Sequence, residues 1–140
     1  MTPTQLLDET IEYYRTNPRG VNPHDRGGCV YRTSDEPGAA MCAVGRCMDW
    51  AKMTPEEADV IGDSSSMAYA FLRSRIGNGP TFSDYMQEQY RDLPDSVFAD
   101  LQSLHDASSY WRANGEGGQS LTERGQQVAE ETRRHFDTLS

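Results

Sequence analysis

The stretch Cys29-Val30-Tyr31-Arg32-Thr33-Ser34-Asp35-Glu36-Pro37-Gly38-Ala39-Ala40-Met41-Cys42-Ala43-Val44-Gly45 decides how this chain is read. Two short runs of Val, Tyr, Thr and Cys, at 29–33 and 40–45, flank a polar segment ending in Pro-Gly, the pattern of a β-hairpin. Pro-Gly favours a type II turn, which splays strands, so the connection is expected to carry a bulge. With the pairing centred on Pro37 and Gly38, Cys29, Tyr31, Cys42 and Val44 share one face, and Val30, Arg32, Met41 and Ala43 share the other.

Helices are expected on both sides of this element. Residues 4–16 place Leu7, Ile11 and Tyr14 at helical spacing with Leu6 and Thr10 beside them, and Pro3 suits a first turn. Asn17, Pro18, Gly20, Asn22 and Pro23 then open a loop that runs to Gly28. Downstream, Thr54-Pro55-Glu56-Glu57 is a helix start that Gly62 holds to about two turns. Residues 64–76 form a second candidate, closed by Gly77-Asn78-Gly79-Pro80, and 81–91 a short helix capped by Ser83. Across 93–113, Val97, Phe98, Leu101, Leu104, His105 and Ser108 fall on one stripe with Pro94 and Asp95 in the first turn, which marks the central helix. A Gly-rich turn at 114–119 follows. Ser120 and Glu123 then make a capping box for a last helix that turns Leu121, Gly125, Val128, Thr132, Phe136 and Leu139 inward, Gly125 implying a close helix contact. The expected fold class is α+β and helix-dominant: one domain over 1–140, with a short hairpin packed by about five helices.

Thirteen basic against twenty-two acidic side chains give a net charge of −9, with nine acids and four bases between Ala51 and Asp100. Such a field repels duplex DNA and attracts basic partners. Apolar runs are far shorter than the roughly 20 residues a membrane span needs, and acids stand where a signal peptide would be basic and then apolar. A cytoplasmic protein is expected. Three cysteines are an odd number for a disulfide framework, and reduced, buried thiols are the default.

Several constellations could carry chemistry. Cys29, Cys42 and Cys47 with His105 would suit a tetrahedral zinc, but paired C-x₂-C spacing is missing, and core cysteines are the simpler account. A thiolate activated by His105 and Asp106 would need Asp106 to orient the ring, from which it points about 100° away on a helix. The His105-Asp106 pair also suggests metal-assisted phosphohydrolases, yet His24, the one earlier histidine, lies in a loop. A half-buried His105 bonded to a hairpin carbonyl is the plainer expectation. More informative are Tyr31, Arg32 and Arg46 on or beside the hairpin, with Asp49 and Trp50 just after it. Arginine offers a planar fork for phosphate, and Tyr or Trp a stacking face, so the set could hold a small anionic nucleotide-like ligand. The competing account spends Arg32 on an internal carboxylate and places Tyr31 and Trp50 in the core.

The order of Cys29-Val30-Tyr31-Arg32, Cys42-Ala43-Val44-Gly45, Leu101-Gln102-Ser103-Leu104-His105-Asp106 and Trp111 resembles a family of small uncharacterised proteins of tailed bacteriophages and prophages. Members often continue into Leu-Ile-Pro-Asp and Met-Glu-Gly, where this chain has Cys47-Met48-Asp49-Trp50 and Ile61-Gly62-Asp63. The resemblance implies a phage accessory protein acting against host machinery. One route is a homo-oligomeric binding protein that sequesters a nucleotide-derived immune signal without turnover and without a cofactor. Arg32 and Arg46 would meet phosphates, Tyr31 with Trp50 or Trp111 would stack on the base, and His105 with Asp106 would brace the hairpin or bond a ribose. Asp49 would stand beside them. The alternative is an acidic inhibitor or DNA mimic that binds a host enzyme, and a third is a metal-dependent hydrolase.

Overall fold

The first helix begins where Thr2 closes a capping box: its hydroxyl accepts from the Gln5 N–H, while the Gln5 side chain accepts from the Thr2 N–H. Two of the donors exposed at a helix start are satisfied at once. In the computed structural model, which describes residues 1–19, 40–53, 55 and 85–139, this helix, α1, spans Pro3–Thr16. It buries Leu6, Leu7, Thr10 and Tyr14, with Ile11 half-buried beside them, as the spacing predicts. Extended backbone at Asn17 ends it, and the side-chain amides of Asn17 and Asn114 donate to the freed carbonyls of Tyr13 and Arg15.

Residues 40–45 depart from expectation. Met41 forms an isolated parallel bridge to Arg19, but the run makes no strand. The Arg46 N–H donates to the Cys42 carbonyl at 3.0 Å, the Gly45 N–H donates to Cys42 Sγ at 3.3 Å, and Gly45–Cys47 is a single 3-10 turn. Cys42, Ala43 and Val44 are all buried, so no alternation of faces exists. A short apolar run buried on every side reads alike as a strand or as a helical turn, and here the turn wins. The other hairpin arm, 29–33, lies outside the described residues, as do the helix expected at 64–76 and all of the one expected from Thr54 except Pro55. In the described part of 81–91, Glu88–Tyr90 is a 3-10 turn and not α-helix, while the expected cap, Ser83, lies outside the described residues. Met48 bridges antiparallel to Met86, and hydrogen bonds from Asp49 N to Tyr85 O and from Gln87 N to Cys47 O hold the two segments together.

Helix α2, Asp95–Asp106, turns Val97, Phe98, Leu101, Leu104 and His105 inward as expected, but it stops well before 113. Ser108 is exposed, so the apolar stripe has nothing with which to continue, and the Trp111 indole donates to the Leu104 carbonyl at 2.9 Å, taking a group that the helix end leaves free. After a 3-10 turn at Ser108–Tyr110, β1 (Trp111–Ala113) pairs antiparallel with β2 (Gln119–Leu121), Trp111 opposite Leu121. Gly115 and Gly117, both at positive φ, make the connection. This is the two-stranded hairpin among the described residues, in a stretch the sequence assigned to helix end and turn.

Helix α3, Glu123–Asp137, is capped by Thr122, whose hydroxyl accepts from the Gly125 N–H at 3.1 Å; Ser120, the expected cap, sits in β2. It lies against α1 and α2 and buries Gly125, Ala129 and Phe136, while Leu139 is exposed. Thr122→Ala is expected to cost about 1 kcal/mol in a urea titration without changing its slope. The result is an α+β, helix-dominant fold with a short antiparallel hairpin. Its core joins Leu6, Leu7 and Tyr14 of α1, Val44, Met48 and Met86, the α2 stripe, and Phe136 of α3 in one cluster.

Candidate functional site

Tyr31, Arg32 and Cys29 lie outside the described residues. Arg46 heads one polar group, with Trp50 and Asp49 close by in sequence, and His105, Asp106 and Trp111 form another. The adjacent rings of Tyr13 and Tyr14, 5.1 Å apart, lie between the two groups.

In the first group, the Gly45–Cys47 turn aims Arg46 at α1. Its Nη1 donates to Glu9 Oε1 at 2.6 Å and to the Tyr90 hydroxyl at 3.3 Å, and its Nη2 donates to Thr10 Oγ1 at 3.2 Å. The guanidinium carbon lies 5.2 Å from the centre of the Tyr13 ring and 5.8 Å from that of Tyr90. The Tyr90 hydroxyl also donates to Glu9. Burial pulls the Glu9 carboxyl upward, but the hydrogen bonds from Tyr90 and Arg46 and the Arg46 charge outweigh it and hold it below its ordinary value. Burial, with the bond to Glu9, pushes the Tyr90 phenol up to about 12. An incoming phosphate would have to displace a carboxylate already in place, and the Arg46 side chain is only 9% exposed. Arg46 is thus an internal tie between the 3-10 turn and α1. Trp50 is half-buried and donates its indole N–H to the Gly45 carbonyl at 2.9 Å, and Asp49 lies 3.7 Å from Lys52 Nζ.

In the second group, His105 is fully buried, not half-buried, and among the described residues no carbonyl is hydrogen-bonded to its ring. Its Nδ1 lies 3.0 Å from Asp106 Oδ1, so the neighbouring carboxylate does orient the imidazole, against expectation. Both residues lie in the last turn of α2, and Gln102, one turn earlier, holds the same Asp106 oxygen with its amide at 2.6 Å. The Tyr14 ring packs against the imidazole at 5.1 Å and against Trp111 at 5.9 Å. Arg19, just past α1, donates to the His105 carbonyl and, at 3.1 Å, to Gln119 Oε1, and lies 5.7 Å from the centre of the Trp111 ring. Trp111 is buried, and its ring serves the core rather than an open stacking face.

The two described thiols, Cys42 and Cys47, fit core positions. Cys47 Sγ donates to the Ala43 carbonyl, and burial pushes its thiol up to about 12, away from a nucleophilic thiolate. Among the described residues, no group of three or more His, Cys, Asp and Glu could hold a metal ion, and no helix is long and apolar enough to cross a membrane. Sequence reasoning missed Glu9, Tyr90, Arg19 and Gln102. Gln102 alone left a signal, since its four-residue spacing to Asp106 puts both on one helix face. No family model, no curated protein and no solved structure matches this chain.

Proposed function

We propose that the chain is an accessory protein of the bacteriophage type it resembles, acting by occupancy rather than turnover, and that its partner is a basic surface on a host protein. The observation that supports this reading is the fate of Arg46: the described cation best suited to a phosphate is bound to Glu9 inside the fold. Carboxylates such as Glu12, Glu88, Asp92, Glu123, Glu130 and Glu131 stand exposed within a chain of net charge −9. Complementary fields steer such encounters and set their specificity.

Capture of a small anionic nucleotide-derived ligand by a homo-oligomer is the competing reading, and its phosphate contacts would fall to Arg32, with Tyr31 as the stacking ring. Two measurements separate them. Immobilised protein is expected to retain a basic protein from host lysate, and to lose it as salt shortens the screening length from about 10 Å at 0.1 M to about 3 Å at 1 M. Thermal shift against cyclic nucleotides and ADP-ribose derivatives is expected to show no stabilisation. A rise matching about 2.7 kcal/mol at a hundredfold ligand excess over Kd would replace the first reading with the second.

A further inference from the structure

We propose that His105 governs an acid-released latch: protonation of its buried imidazole expels the Arg19 guanidinium from the end of α2 and loosens residues 17–19 where they leave α1, with α1, α2 and α3 intact. Among the described residues, the latch spans from Arg19 to the His105 carbonyl at the end of α2, Gln119 on β2 and the Trp111 ring on β1. It fastens the exit of α1 to the end of α2 and to the hairpin, and one of its partners is the backbone carbonyl of the residue that carries the ionisable ring.

Geometry makes that ring intolerant of a second proton. With Asp106 accepting at Nδ1, the neutral imidazole carries its hydrogen there and leaves Nε2 as a lone pair. That Nε2 is buried and has no hydrogen-bond partner among the described residues. A proton added to it would create a donor with no acceptor, on a cation enclosed beside a second cation, Arg19. Among the described residues, the titratable and charged groups that face the ring are few. Asp106 comes from its own helix, Arg19 follows α1, and Tyr14 comes from α1 with its hydroxyl turned to the Met41 carbonyl. The hairpin residues that Arg19 meets, Trp111 and Gln119, are uncharged. Burial and the Arg19 charge oppose protonation, Asp106 favours it, and the balance lies below the ordinary value of 6.5.

The sign follows. A depressed imidazole contributes stability that is complete above 6.5 and is lost as the pH falls through the value in the closed form. An open latch, with Arg19 gone and water admitted, returns the ring toward its ordinary value. The ratio of open to closed therefore rises up to about tenfold per pH unit within that window. Carboxylates titrate lower, so helix loss by general acid denaturation comes later.

The test follows the imidazole nitrogens of His105 and the Trp111 indole N–H by NMR from about pH 8 to about pH 5, with far-UV circular dichroism in parallel. At neutral pH the Nδ1-protonated tautomer is expected. On acidification, the Trp111 and Arg19 signals are expected to move with the His105 titration while the helical signal stays constant. His105→Gln, which cannot take up the proton, is expected to abolish the Trp111 step. Persistence of that step in the variant overturns the proposal, as does simultaneous loss of the Trp111 and helical signals in the wild type. Should the variant fail to fold, the wild type decides alone: an Nε2-protonated tautomer, or titration at an unperturbed value with Trp111 unmoved, also overturns it.

Discussion

Replacing Gly118 with alanine is expected to lower stability by about 3 kcal/mol, a drop of roughly 10 °C in Tm for a chain of this size. A Cβ built on Gly118 would lie 2.1 Å from the Tyr14 carbonyl oxygen and 2.7 Å from the carbonyl carbon and oxygen of Arg15. These are backbone atoms at the end of α1 and cannot swing aside as a flexible side chain would. The hairpin must therefore lift, and lifting it would strain the Asn114 bond to the Arg15 carbonyl. Gly125→Ala meets the same obstacle, with the Tyr110 carbonyl oxygen at 2.2 Å. Differential scanning calorimetry checks both. A variant within about 0.5 kcal/mol of wild type, the range of ordinary surface substitutions, would show that these approaches are looser than described.

Arg46→Ala is expected to cost about 2 to 3 kcal/mol, below the upper range for a broken buried pair because Glu9 keeps 37% of its side chain exposed to water. The loss comes less from attraction forgone than from what stays behind: Glu9 without its cation, and the Thr10 and Tyr90 hydroxyl oxygens without the donor they accept from, although each hydroxyl keeps its own donated bond, to the Leu6 carbonyl and to Glu9. A double-mutant cycle with Glu9→Gln isolates the pair, and a coupling energy near zero would assign Arg46 a packing role instead. The wild type carries a pH signature as well. Glu9 sits below its ordinary value of 4.5, so its contribution is complete above 4.5 and disappears as the pH falls through the lowered value. In Arg46→Ala that acid dependence is expected to shrink.

What the sequence disclosed follows from how locally each signal is encoded. Leu6, Leu7, Thr10 and Tyr14, and Val97 to His105, repeat at helical spacing over several turns, and α1 and α2 lie where the repeats place them. The run at 40–45 is too short to carry a period, and burial on every side removed the contrast between faces on which the strand assignment depended. The hairpin at 111–121 went unseen because Trp111-Arg112-Ala113 and Gln119-Ser120-Leu121 are three residues each, and their pairing is a long-range fact with little local trace. Helix-end geometry explains the His105 result. Adjacent side chains diverge along a helix, but in its last turn the Asp106 carboxylate still reaches back to the neighbouring ring. Arg46 was recognisable as a phosphate-binding type, while its partner, Glu9, is thirty-seven residues away and was known only once the chain folded.

The two thiols buried in the core have a consequence for handling. Cys42 and Cys47 are enclosed in the core, and alkylating reagents or oxidants meet them only when the surrounding core opens. Their susceptibility is then governed by the lifetime of the closed form rather than by intrinsic sulfur reactivity. Any perturbation that loosens α1 from the 3-10 turn is converted into covalent damage at these two sulfurs.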